Sequence, residues 1–143
     1  MKKVFVASDH AGFSLKSFVV NLLRERGFHV FDLGPEEALR CDYPDYANLL
    51  CLRLKNEPDA FGVLLCGTGI GMSISANRYS HIRAAVVSDP HTAGATRAHN
   101  NANVLCMGER IIGFGMASSI IDAWCSTEFE GGRHQVRIDK IIS

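Results

Sequence analysis

The apolar run Val63-Leu64-Leu65 ends in a cysteine followed by three alternating glycines, Cys66-Gly67-Thr68-Gly69-Ile70-Gly71. Glycine lets a backbone turn sharply and bring its N–H groups close to an anion. A thiol at the mouth of such a loop has the chemistry of a base or a nucleophile. It also stands just before a helix, and helix N-termini lower thiol pKa values from about 8.5 toward neutrality. The loop is not a nucleotide P-loop, because Met72 stands where lysine is required. It is not a cysteine-phosphatase loop either, since Cys66 to Ser73 contains no basic residue. A dinucleotide fingerprint needs G-x-G-x-x-G after the first strand, and this is G-x-G-x-G after the third. What remains is a row of amide donors beside a potential base, which suits an oxyanion that develops during reaction.

Three further groups have chemical capacity. Asp9-His10 follows the first apolar run; Asp9 suits a helix cap, but no structural need explains the adjacent histidine. Arg133 and Arg137 are four residues apart in Glu130-Gly131-Gly132-Arg133-His134-Gln135-Val136-Arg137, so they share a helical face. Two guanidiniums there form either a phosphate clamp or a solvated face paired with Glu130 or Asp139. His99-Asn100 ends a helix, where a histidine also suits the dipole. Asp89-Pro90 reads as a normal helix start, His29 and His81 as surface, and His91 stays open.

The elements that must position these groups alternate along the chain. Strands are expected at 3–7, 28–33, 61–65, 82–87 and 103–107. Helices are expected at 12–26, stopped by Gly27, from Asp42-Tyr43-Pro44, at 70–78, from Ser88-Asp89-Pro90, at 113–125, and near 132–142. The pattern predicts one α/β domain over 1–143, with 127–143 as its C-terminal tail. Its fold is a three-layer α/β/α sandwich with a five-stranded parallel sheet, Rossmann-like. Ligands bind such sheets beyond the carboxyl ends of the strands. That edge receives Asp9-His10, the Cys66 loop, Ser88-Asp89 and Glu109-Arg110. His99, ahead of strand five, falls on the opposite edge, far from Cys66 within one chain. If His99 is catalytic, it serves a second subunit, which predicts a symmetric homodimer with shared sites.

Composition narrows the class. Fifteen basic and fifteen acidic residues cancel, so nucleic acid and anionic membrane are not expected partners. No apolar run approaches the ~20 residues of a membrane helix. The N-terminus enters a strand at once, and its apolar part is too short for a signal peptide. Five irregularly spaced cysteines without a C-x-x-C pair point to reduced thiols in the cytoplasm and no zinc knuckle. Cys51, Cys106 and Cys125 read as small buried hydrophobes.

Together, Ser8-Asp9-His10-Ala11-Gly12, Asp42-Tyr43-Pro44, Cys66 to Gly71, His99-Asn100, Gly108-Glu109-Arg110 and Glu130 to Gln135 closely resemble the type B ribose-5-phosphate isomerases of the ribose/galactose isomerase family. The resemblance implies aldose–ketose isomerisation of ribose 5-phosphate in the pentose phosphate pathway, through an enediolate, with no metal or cofactor. It implies Cys66 as the base and His99 as the ring-opening acid/base, with Asn100 beside it. Gly67, Thr68, Gly69, Ile70 and Gly71 would hold the enediolate oxygens, and Asp9 the substrate hydroxyls. His10, Arg110, Arg133 and Arg137 would bind the phosphate. The assembly would be a homodimer or a dimer of dimers. Two alternatives stand at this point: an isomerase of allose or galactose 6-phosphate with a roomier pocket, and a non-catalytic nucleotide-binding module of flavodoxin-like shape.

Overall fold

The strand–helix alternation folds as expected. In the computed structural model, which describes residues 2–142, the strands are β1 (Lys3–Ser8), β2 (His29–Asp32), β3 (Phe61–Cys66), β4 (Ala84–Val86) and β5 (Val104–Gly108). The helices are α1 (Phe13–Glu25), α2 (Tyr43–Leu54), α3 (Ile70–Ala76), α4 (Pro90–Asn100), α5 (Phe114–Cys125) and α6 (Arg133–Ile138). The outer ends of the expected segments, at Met1 and Ser143, lie outside the described residues. All strand pairs are parallel, in the order β2-β1-β3-β5-β4. β4 is shorter than the expected 82–87 because it is an edge strand with β5 as its one partner.

Period-two alternation sends side chains to two separate cores. Val4 and Val6 of β1, Val63 and Leu65 of β3, and Leu105 and Met107 of β5 face α1 and α5. Phe5, Ala7, Leu64, Cys66 and Cys106 face α2 and α3. On α1, Leu15, Val19, Leu22 and Leu23 supply the apolar stripe. Gly27 stops that helix at φ +89; its N–H donates to Arg24 O and that of Phe28 to Leu23 O, a Schellman arrangement. Trp124 on α5 is fully buried beside Phe61, and truncating such a residue costs about 3–5 kcal/mol.

The chain leaves β1 outward to β2, then returns to place β3 on the other side of β1. The strand order therefore reverses between β1 and β3, the position beyond whose carboxyl ends open parallel sheets bind ligands. Asp9 and Cys66 leave the sheet on its two sides.

Candidate active site

The β1 and β3 ends are tied to each other. Asp9 N–H donates to Leu65 O at 3.1 Å. Asp9 is buried, and its Oδ1 accepts from the N–H groups of Ala11 (2.9 Å) and Gly12 (3.1 Å). These bonds close a turn ahead of α1 rather than cap it, since the N-cap is Gly12 and the helix has no side-chain cap; they use one carboxylate oxygen. Gly12 is required by close approach: a Cβ there would sit 2.6 Å from the Leu65 carbonyl.

Cys66 closes β3 and is buried. The Gly69 N–H donates to its sulfur at 3.0 Å, which fixes the sulfur at the mouth of the loop. Gly69 reaches that position at φ +81, a left-handed conformation, while its Cα packs onto the Met107 backbone. Ile70 N–H donates to Thr68 Oγ1 at 3.2 Å. Two of the five loop amides are therefore engaged within the loop. Across the loop, Gly108 leaves no room for a side chain, since a Cβ would lie 2.5 Å from Thr68 Cα.

The missing basic group arrives from β5. Arg110 N–H donates to Gly67 O at 3.0 Å, and its Nη1 would lie 3.2 Å from a Cβ on Gly67. A guanidinium thus covers the loop. His10 Nδ1 lies within 3.2 Å of Cys41 O and 3.3 Å of Cys41 N, which ties it to the loop before α2. Two residues without an expected role also belong here. The Tyr43 ring lies over Gly71, where a Cβ would meet it at 2.7 Å; the Asp-Tyr-Pro segment was its signal. Glu109 Oε1 accepts from Leu15 N–H at 2.6 Å, which anchors the β5 end to the first turn of α1. Nothing local in the sequence marks that bond.

The remaining candidates gather on the opposite edge. His99 and Asn100 are exposed on the last turn of α4. His99 is not the helix terminus itself, because Asn101 at φ 47 ends α4. α6 is joined to this edge through Glu130 N–H, which donates to Ala98 O at 3.0 Å. His134 of α6 is buried and stacks on His99, with ring centroids 4.5 Å apart and planes at 17°. Arg133 and Arg137 are exposed and form no ion pair among the described residues. The acids expected to neutralise them are engaged elsewhere: Glu130 faces His134 at 3.4 Å, and Asp139 accepts from Gln135 Nε2 at 2.7 Å. His99, Glu130 and His134 present ligand atoms within 4.8 Å of one another, the one such trio among the described residues.

The other cysteines behave as hydrophobes. Burial pushes the Cys51 thiol up to about 12 and the Cys125 thiol to about 11, and raises that of Cys106. Asp89 caps α4 by accepting from Thr92 N–H at 2.7 Å; that bond holds its carboxyl below the usual range. His81, expected at the surface, is half-buried with Nε2 2.7 Å from Cys51 O. A cavity of about 680 Å³ lies along β4, α3 and the tail, lined by Arg78, Arg83, Asn100 and Ile141 among others. A smaller one of about 400 Å³ lies under the 35–46 loop. Neither is lined by Cys66.

Residues 4–141 match the family model described as Ribose/Galactose Isomerase. The chain is 45% identical to ribose-5-phosphate isomerase B of Escherichia coli, over 100% of this chain and 96% of that protein. It is similar to the solved ribose 5-phosphate isomerase of Thermotoga maritima at 48% identity and a TM-score of 0.94, covering 97% of this chain and 96% of the other. A solved Mycoplasma genitalium ribose-5-phosphate isomerase B with bound ribulose-5-phosphate matches at 43% identity and a TM-score of 0.94, covering 98% of this chain and 93% of that one.

Proposed function

The chain belongs to the ribose/galactose isomerase family, and we infer that it is an aldose–ketose isomerase interconverting D-ribose 5-phosphate and D-ribulose 5-phosphate. The observation that carries this reading is the Gly69 N–H donating to Cys66 sulfur at 3.0 Å, which holds the candidate base at the switch point of the sheet, beside the loop amides. In the forward direction the Cys66 sulfur, as the base, takes the C2 proton of the open-chain aldose, the thiol proton exchanges with solvent, and the thiol protonates C1. The charge that develops on O1 and O2 is met by loop amides and the Thr68 hydroxyl. Asp9, with one oxygen held by backbone donors, moves the proton between the two oxygens.

His99 opens the furanose ring, with Asn100 beside it. The phosphate is held by His10 and Arg110 on the Cys66 edge and by Arg133 and Arg137 on the far edge. Those two sets cannot meet within one chain, so the working unit is a homodimer in which the Cys66 edge of one subunit faces the partner subunit's His99 edge. Support for this comes from exposed apolar residues around β4: Ile70 and Ile74 of α3, Val86 of β4, and Ile141 of the tail. It comes also from Arg133 and Arg137, which have no acidic partner among the described residues. Five free thiols fit a reducing compartment, the cytoplasm.

The relative with ribulose-5-phosphate bound favours a five-carbon sugar over a six-carbon one, and the isomerase relatives leave no place for a non-catalytic nucleotide module. Incubation with ribose 5-phosphate in deuterated water plus a chelator tests the reading. Ketose carrying solvent deuterium at C1 is the expected product. Absence of ketose under these conditions refutes it.

A further inference from the structure

His134 is nine-tenths buried, yet its Nε2 has no hydrogen-bond partner among the described residues. Glu130 Oε1 lies 3.4 Å away. That gap is long for a charge-assisted hydrogen bond. It matches the spacing of two ligands on one tetrahedral zinc ion, whose bonds of about 2.0–2.2 Å place ligand atoms about 3.3–3.5 Å apart. His99 offers a third ligand within 4.8 Å of both. We propose that His99, Glu130 and His134 form a binding site for a zinc-class divalent cation, and that its occupancy switches the enzyme off.

The donor set is chemically apt. Two imidazoles and one carboxylate suit zinc, cobalt and nickel and disfavour calcium and magnesium, which take oxygen ligands. His134 is fixed by burial, and the Glu130 main chain is anchored by its N–H, which donates to Ala98 O and keeps the exposed carboxylate beside His134. The third is free to move. His99 is exposed on the final turn of α4, and its ring lies almost parallel to that of His134, so its lone pair does not converge on the other two. Binding therefore swings the His99 ring out of the stack and closes the trio around the ion, with water completing the shell. A histidine whose lone pair is bonded to a metal has no proton acceptor to offer a sugar. The inhibitory consequence, unlike the binding, rests on the role given to His99 above.

The test has two arms. Thiols are removed as competing ligands with Cys41→Ser and Cys66→Ser, and Co²⁺ is titrated into the full-length chain while its visible absorption is recorded. One Co²⁺ per chain is expected, without the near-ultraviolet band of a thiolate ligand. Adding Glu130→Gln, an exposed position that leaves the fold undisturbed, weakens binding by at least about tenfold, the least that a loss at a metal site costs; His134→Gln does the same. No Co²⁺ bound, or an affinity indifferent to both substitutions, overturns the site. In the second arm Zn²⁺ inhibits isomerisation by the chain with its cysteines intact, and Glu130→Gln raises the half-inhibiting concentration at least about tenfold. Inhibition unmoved by Glu130→Gln means the ion acts at Cys66 and overturns the switch. The binding arm needs no turnover, so an inactive enzyme leaves it readable.

Discussion

Gly69 N and Cys66 Sγ lie 3.0 Å apart, with the amide donating to sulfur across a turn of three residues. The turn closes because Gly69 adopts φ +81 against the Met107 backbone. Gly69→Ala places a Cβ 3.1 Å from that backbone and forces alanine into a region that costs it about 1–2 kcal/mol. A fall in kcat of at least tenfold is expected, with the KM for ribose 5-phosphate changed far less, measured by steady-state kinetics.

Cys66→Ala removes the proposed base. General acid–base groups contribute about 10²–10⁴-fold, so kcat should fall by that range while circular dichroism stays unchanged. Solvent deuterium exchange into the sugar should fall with it. Exchange that persists at the original rate would show that another group moves the proton.

Shared sites predict complementation. Cys66→Ala and His99→Ala chains are each inactive alone. Mixed in equal amounts and allowed to exchange subunits, half the dimers carry one intact site, about a quarter of all sites. Activity near that fraction is expected. None, with exchange confirmed by mass spectrometry of tagged chains, argues for sites built within one subunit.

Lys16 is nearly fully buried, with 4% of its side chain exposed, and both oxygens of Asp32 accept from its Nζ at 2.9 Å. Removing one partner of such a pair leaves an uncompensated charge. Asp32→Ala should destabilise the fold by about 3 kcal/mol, seen as a melting temperature lowered by about 10 °C.

The interior thiols give the pH dependence. Cys51 is raised by burial from 9.0 to about 12 in the folded chain. A raised acid stays neutral when folded and ionises on unfolding, so its contribution is complete below about pH 9 and is lost as pH climbs toward 12. Cys125, raised to about 11, acts in the same direction. Equilibrium urea titrations should show stability falling across that window, and Cys51→Ala should flatten the fall. At pH 8, iodoacetamide should modify Cys41 and Cys66 but spare Cys51, Cys106 and Cys125, read by peptide mass spectrometry.

Local patterning alone was enough to read the architecture. Alternation in Val4-Phe5-Val6-Ala7 and the stripe on α1 are local signals, and the parallel topology follows from their order. The edge rule likewise joined Asp9 with Cys66 and separated His99 from both. Contacts between distant segments were not legible, because side-chain approach depends on packing rather than on spacing. The Arg110 guanidinium over Gly67, the Tyr43 ring over Gly71 and the Glu109 bond to α1 bring together residues far apart in the chain. The His99–His134 stack is of the same kind: it joins α4 to α6, with β5 and α5 between them in the chain. Sequence determined which edge of the sheet each candidate residue occupies, since that follows from strand direction. Tertiary structure decided their partners: it left Arg133 and Arg137 without acids among the described residues, buried His134 beneath His99, and set the sulfur of Cys66 against an amide, because those choices are made by the shape of the assembled core.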